Sequence, residues 1–239
     1  MKQKLRVWVR LMAGLLFSAG LIWFSNGKQT AEELLNLEVS DAEEYEAVPE
    51  EEPVTLREWK KINPRVKYVL TFQDDAIQRV IPVIAANDVS YAMKHNIRGE
   101  YDSMGSVFCD PSALEPANLV IYGHSSRTKD WCFTFLKQYT DPAYYAAHPT
   151  LRLEEESGIT TCRIVSAAVY DMKEDSYVGW ADSALSAGDE IRTMFQETVP
   201  YLVNQTGGQV YRGEGVLTLV TCDMRAEDAR IVVQALREL

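Results

Sequence analysis

The C-terminal stretch GVLTLVTCDMRAEDARIVVQALREL, residues 215–239, carries the reading from which the rest follows. Two apolar runs rich in β-branched residues flank a polar loop, which is the pattern of a strand, a turn and a returning strand. The first run ends in Thr221 and Cys222, with Asp223 opening the loop. The second begins at Arg230, eight residues past the cysteine. A cysteine at a strand end can be exposed, and a thiol reacts as thiolate only when partly exposed and near positive charge. A loop of this length brings Arg230 beside Cys222, where a guanidinium stays charged and offers several donors to a developing oxyanion. Each residue also has an ordinary explanation. Free cysteine is usually a small buried core residue, and a strand-end arginine usually sits in water or in a weak surface pair.

Upstream, short β-branched runs recur at VKYVLTF (66–72), RVIPVIA (79–85), NLVIYGH (118–124) and TCRIVSAAVY (161–170). Turn signals such as Asn87-Asp88, Ser157-Gly158 and Gly207-Gly208 separate several of them. Three stretches read as helical: a short one from Leu56 stopped near Asn63-Pro64, one over residues 133–145, and one over residues 187–204. The last follows Gly188-Asp189 and places Ile191, Met194, Phe195, Val199 and Leu202 at helical spacing. The sum is a mostly-β domain, a barrel or closed sheet with helices attached. In NLVIYGHSSR (118–127) a strand delivers His124 just past Gly123, at a strand end, although a lone histidine is more often a surface or capping residue.

The chain has 239 residues and a net charge of −11. Ten acids and no bases lie between Gln29 and Leu56, which leaves −1 for everything else. No clustered basic surface is evident, which argues against nucleic acid as a partner. The four cysteines, Cys109, Cys132, Cys162 and Cys222, show no metal-ligand spacing with the three histidines. Residues 1–10 carry Lys2, Lys4, Arg6 and Arg10, and an apolar run, LMAGLLFSAGLIWFS, follows at 11–25. Counted from Val7 this span approaches the ~20 residues that cross a bilayer. Trp23 and Phe24 stand where a signal-peptidase site needs small residues. The expectation is an uncleaved single-pass anchor, with the N-terminus cytoplasmic and the rest of the chain outside the cell membrane. The domains expected are residues 1–26 as tail and anchor, 27–55 as an acidic stalk, and 56–239 as the globular domain.

The ordered set YGH, TLVTC and Arg230 resembles the sortases, in which a histidine, a TLxTC cysteine and a downstream arginine form the active site. The resemblance runs from about Leu56 to the C-terminus. The segments INPRV (62–66) and GEYDSMGSVFCD (99–110), and a helix-bearing insert after VSAAVYDMKEDSYVGW (165–180), are similar to the class B branch. It implies an eight-stranded sortase barrel with an N-terminal helical region and an inserted helix between strands six and seven, which the helix at 187–204 suits. It implies that Cys222 is the nucleophile, that His124 is the acid and base, and that Arg230 holds the substrate and steadies the oxyanion, with the backbone N–H of Asp223 as a second donor. Thr221 and Asp223 flank the nucleophile as substrate contacts. Tyr177, Val178 and Met93 match positions lining the motif groove. The segment SSRTKDWCFTFL (125–136) matches the usual class B run only loosely. Cys109, Cys132 and Cys162 have no role in the pattern and read as packing residues.

The activity implied is transpeptidation: a sorting motif near the C-terminus of a secreted protein is cut after Thr, and the acyl group passes to an amine of a peptidoglycan precursor, lipid-linked as in lipid II. Exchange of one acyl linkage for another requires no ATP, metal or other cofactor. Rival readings are an L,D-transpeptidase-like enzyme, which places His and Cys much closer in sequence, and a papain-like enzyme, which places Cys before His. A non-catalytic stalked binding domain on the same barrel, or a pilus-building sortase, are the remaining alternatives.

Overall fold

The computed structural model describes residues 55–73, 78–111, 117–173, 202–205 and 214–238. The expected anchor and stalk, Tyr177, Val178, and all but the end of the helix expected at 187–204 lie outside the described residues.

The first element, α1 (Leu56–Ile62), begins where the sequence supplies a capping box. The Thr55 hydroxyl accepts from the Glu58 N–H at 3.3 Å, and the Glu58 carboxylate accepts from the Thr55 N–H at 3.0 Å. Lys60 and Lys61 in the last turn suit the negative end of the helix dipole. Leu56 and Trp59 pack on Val66, Val69, Ile84 and Phe108, which seats the helix on the barrel wall.

Among the described residues nine strands follow: β1 (Val66–Gln73), β2 (Gln78–Ala85), β3 (Val107–Cys109), β4 (Asn118–Tyr122), β5 (Thr150–Glu155), β6 (Gly158–Asp171), β7 (Leu202–Gln205), β8 (Glu214–Cys222) and β9 (Ala229–Glu238). Their spatial order is β5-β1-β2-β3-β4-β8-β9-β6-β7, and β5 also pairs with β6. That pairing closes eight strands into a barrel and leaves β7 as an appendage on β6. Closure removes the exposed edges of the eight. Two neighbour pairs, β2–β3 and β4–β8, run parallel, and the remaining pairs are antiparallel. The fold is therefore mostly β and closed at eight strands, as the sequence implied.

Alternation sorts each strand between two faces. On β8 and β9, Leu217, Leu219, Ile231, Val233 and Ala235 fill the barrel core with Leu70, Phe72, Ile121 and Leu153. Val216, Val220, Val232 and Leu236 point the other way, into a second apolar layer with Val120 and Tyr170. Cys222 and Arg230 fall on that outer face by the same two-residue period.

Three expectations need correcting. The single helix expected at 133–145 is a 3-10 helix (Thr134–Thr140) followed by α3 (Pro142–Ala147), α2 being the short Val89–Ala92. Asp141 is the joint: its Oδ1 accepts from the N–H groups of Ala143 (2.7 Å) and Tyr144 (3.2 Å), and Pro142 starts the new helix. Residues 202–204, read as helix, belong to β7, where Asn204 Nδ2 donates to the Tyr139 carbonyl at 2.7 Å. The single-pass membrane location is overturned: among the described residues no helix is long and apolar enough to cross a membrane. The longest described α-helix, α1, has seven residues, against the ~20 that a span needs. The apolar run behind that expectation, 11–25, lies outside the described residues.

Candidate active site

Parallel pairing of β4 with β8 builds the site. Tyr122 pairs with Val220, the Gly123 N–H donates to the Val220 carbonyl (3.1 Å), and the Thr221 hydroxyl donates to the Gly123 carbonyl (2.8 Å). Two residues beyond the Tyr122–Val220 pair, His124 and Cys222 leave the same end of the barrel on adjacent strands. Neighbouring strands lie about 4.8 Å apart. Gly123 is required by space: a Cβ there would stand 2.8 Å from Phe133 Cδ2 and 3.1 Å from Val107 Cγ2.

Antiparallel pairing of β8 with β9 brings in the arginine. Cys222 and Arg230 are direct partners across the hairpin, so their side chains share a face. Both are half-buried, as is His124. The thiol lines a pocket of about 260 Å3 with Ser125, Ser126, Arg127, Lys137, Asp223, Met224, Arg225 and Ile231. Cys109 and Cys162 are buried, and Cys132 is half-buried. Burial pushes Cys109 and Cys162 up to about 11, against a lowering pull from Lys67 and Arg237 respectively. Burial, aided by Asp102, pushes Cys132 up to about 12, and its thiol donates to the Met104 carbonyl at 3.4 Å. None of the four is in a disulfide. Of the four, only Cys222 lines this pocket.

The imidazole of His124 is tied by Nε2 to the Met93 carbonyl at 3.1 Å. A carbonyl only accepts, so Nε2 carries the hydrogen there, and Nδ1 is the nitrogen left to exchange a proton. Met93, expected as a groove residue, thus reaches the site through its backbone, and the residue is 40% exposed. Arg230 Nη1 donates to the Ala229 carbonyl at 3.0 Å. The Asp223 N–H donates to that same carbonyl at 2.8 Å. The expected second oxyanion donor, the Asp223 N–H, is therefore engaged in this conformation, while Arg230 gives Ala229 O one of its five N–H donors.

Thr221 is 2% exposed, its hydroxyl committed to Gly123, so it fastens the His124 segment to β8. The buried Asp223 carboxylate accepts from Arg225 Nε (2.8 and 3.1 Å) and Nη2 (2.8 Å). Burial alone would raise that carboxyl, but the hydrogen bonds and charge of Arg225 outweigh it and hold it below the usual range. Arg127 Nε donates to the Met224 carbonyl at 3.0 Å and Arg225 Nη1 to the Thr140 hydroxyl at 3.3 Å, so the loop joining Cys222 to Arg230 is pinned from two elements. Arg127, Lys137 and Arg225 were not anticipated from the sequence. The Asp223-x-Arg225 spacing was a local signal for one; nothing local marked the other two. His95 stacks on Tyr91 and His148 on Tyr144, each with Nδ1 held by a backbone carbonyl, away from this pocket. Among the described residues, no three or more His, Cys, Asp or Glu side chains are grouped to hold a metal ion.

No family model matches the chain. It is 28% identical over 184 residues to sortase B of Listeria monocytogenes, covering 75% of this chain and 72% of that protein. Its structure is similar to that of Clostridium perfringens sortase B, with a TM-score of 0.65 and 25% identity over 76% of this chain and 98% of the other. A class B sortase of Streptococcus pyogenes, described as involved in pilus biogenesis, shares the fold at a TM-score of 0.65 and 20% identity over 77% of this chain and 98% of the other. A closed barrel of this order, with a half-exposed cysteine at the end of β8, defines a cysteine transpeptidase of the sortase type. Within that type, its sequence and fold are similar to those of the class B sortases.

Proposed function

We propose that this sortase cuts a C-terminal sorting motif of secreted proteins after a Thr residue and transfers the acyl group to an amine of a peptidoglycan precursor, fixing those proteins to the cell wall. The supporting observation is the pairing of Cys222 with Arg230 across β8 and β9, beside the strand end that carries His124.

The Cys222 thiolate attacks the Thr carbonyl carbon, and the carbonyl electron pair moves onto oxygen. Arg230 receives that oxyanion through N–H groups other than the one given to the Ala229 carbonyl. Collapse breaks the C–N bond; the departing amine takes a proton from the His124 imidazolium, and a thioester remains. The acceptor amine then gives a proton to the imidazole, attacks the thioester and expels the thiolate. Thr221 contributes by holding Gly123, and so His124, against β8. Met93 and, by resemblance, Tyr177 and Val178 contact the motif.

The test is intact-protein mass spectrometry of the full chain with a panel of sorting-motif peptides, followed by acceptor amines. A hydroxylamine-sensitive acyl adduct, absent in Cys222→Ala, is the expected result. Cleavage that persists in Cys222→Ala refutes it. Transfer to a pilin lysine in preference to a peptidoglycan amine would assign pilus building instead.

A further inference from the structure

We propose that the 260 Å3 pocket beside Cys222 is the acceptor subsite, and that it selects an amine acceptor bearing a negative charge, a carboxylate or a phosphate. This rests on the transpeptidase reading above. One wall of the pocket is the chain directly after His124: Ser125, Ser126 and Arg127. The facing wall is the chain directly after Cys222: Asp223, Met224 and Arg225. Lys137, from the 3-10 helix, supplies a third side. An acceptor amine must reach the thioester and also surrender a proton to the imidazole. A molecule lodged between these walls lies against the residues adjoining both.

The charges select among acceptors. Three cations and one carboxylate line the pocket, and that carboxylate, Asp223, is already bound by Arg225. Arg127 uses Nε on a backbone carbonyl, and among the described residues neither Arg127 nor Lys137 has a carboxylate partner. The other acids of the β8–β9 loop are turned to Lys173, whose Nζ lies 2.6 Å from Glu227 Oε2 and 4.0 Å from Asp228 Oδ2. A locally cationic pocket in a chain of net charge −11 is not a consequence of composition. The larger cavity, about 400 Å3, offers the opposite chemistry: Val89, Phe108, Val120 and Tyr122 line it with one carboxylate, Asp110, and no cation. An anionic acceptor is therefore directed to the smaller pocket.

The experiment follows the full chain with an acyl-donor peptide and two versions of one amine-bearing stem peptide, its carboxylate free or amidated. The readout is the ratio of transfer to hydrolysis. Lys137→Gln and Arg127→Gln should each lower that ratio roughly two- to fivefold for the acidic acceptor, the size of one exposed ion pair, with the loss reduced at high salt. Arg127→Lys should restore most of it. The ratio for the amidated acceptor should change little. Inorganic diphosphate is added as a competitor: inhibition of transfer by diphosphate, but not by acetate, assigns the phosphate of a lipid-linked precursor, and the reverse assigns the stem carboxylate. Equal loss with acidic and amidated acceptors, or no loss with either, overturns the proposal. Diphosphate binding followed by 31P NMR separates the two readings. Were the wild type to transfer to no amine, yet bind diphosphate more tightly than the Gln variants, the transpeptidase reading would fall and the anion site would stand.

Discussion

Gly123→Ala tests whether packing beneath His124 sets the position of the imidazole. The added Cβ would lie 2.8 Å from Cδ2 and 2.9 Å from Cγ of Phe133, about 0.6 Å short of ordinary van der Waals contact at 3.4 Å. Phe133 is fully buried and its N–H is bound to the His124 carbonyl at 3.0 Å, so ring and histidine move together. Overpacking of this kind costs about 1–3 kcal/mol. For a domain of this size that is a melting-temperature fall of roughly 3–10 °C. A displacement of about 1 Å in a catalytic group can cost about a hundredfold in rate, so half that shift is expected to cost on the order of tenfold. Thermal unfolding and the rate of Cys222 acylation, both measured where the variant is fully folded, give the two numbers. Phe133→Leu in the same chain should recover part of the rate by opening room for the methyl. Wild-type melting together with a wild-type acylation rate would refute the reasoning, because it would show that Phe133 yields freely and does not hold His124.

Arg225→Gln should alter the pH dependence of stability. The hydrogen bonds and charge of Arg225 outweigh burial and hold the Asp223 carboxyl below its ordinary value in the folded state, so the group stabilises the fold above its unfolded value and that contribution is lost as pH falls through the folded one. Without Arg225 burial alone raises the carboxyl and the sign inverts, so the Asp223 contribution is then lost as pH rises; the melting-temperature gap between wild type and variant, recorded from pH 3 to 7, should be largest at neutral pH and shrink as pH falls, and a gap independent of pH would count against the pair, whose value is reduced by the exposure of Arg225. A charged thiosulfonate at neutral pH should modify Cys222 in the native chain, with the buried Cys109 and Cys162 labelled only after unfolding; peptide mapping that finds native labelling at either of those two refutes the burial argument. Thr218→Val should cost about 1–3 kcal/mol in chemical denaturation, since the Thr218 hydroxyl donates to Asn118 Oδ1 at 2.7 Å in a buried site, and a cost near zero would show that Asn118 finds another donor.

Much of the barrel was legible because its longer strands are continuous β-branched runs, and the hairpin 215–239 displayed Cys222 and Arg230 at the ends of facing strands. What escaped did so for identifiable reasons. β3 is three residues long, too short for any period to show. β5 reads TLRLEE, where charged residues outnumber the two leucines that face the core. The helix expected at 133–145 failed at Asp141-Pro142, a start signal that the surrounding apolar residues hid. In the site, His124 and Cys222 were recognisable at strand ends, but their adjacency depends on β4 and β8 pairing in parallel across 98 residues of sequence. Lys137 and Arg127 reach the pocket from separate elements, so no local spacing announced them. The engagement of Asp223 N–H by Ala229 O is a property of one turn conformation that residue types alone do not fix.

Register is what converts this barrel into a site. A slip of one residue between β8 and β9 would turn Cys222 into the core and place Ile231 opposite it. Apolar packing alone resists such a slip weakly, because both faces of β8 and β9 are apolar: Leu217 and Leu219 on one side, Val216 and Val220 on the other. The polar residues on the outer face resist it better. Thr218 pairs with Gln234 across the hairpin, Thr218 is bonded outward to Asn118 on β4, and Gln234 Oε1 accepts from Ser166 on β6 at 2.9 Å. Asn118, Thr218, Ser166 and Gln234 are all buried, so a slipped register would leave these groups unsatisfied where water does not reach. This belt crosses β4, β8, β9 and β6, and it lies four residues from both Cys222 and Arg230 along their own strands. The same pairing that satisfies the belt fixes cysteine against arginine, and it also fixes the parallel register that delivers His124 to the end of β4. The polar residues of these strands therefore act on the chemistry without touching substrate: they decide which side chains meet at the mouth of the barrel.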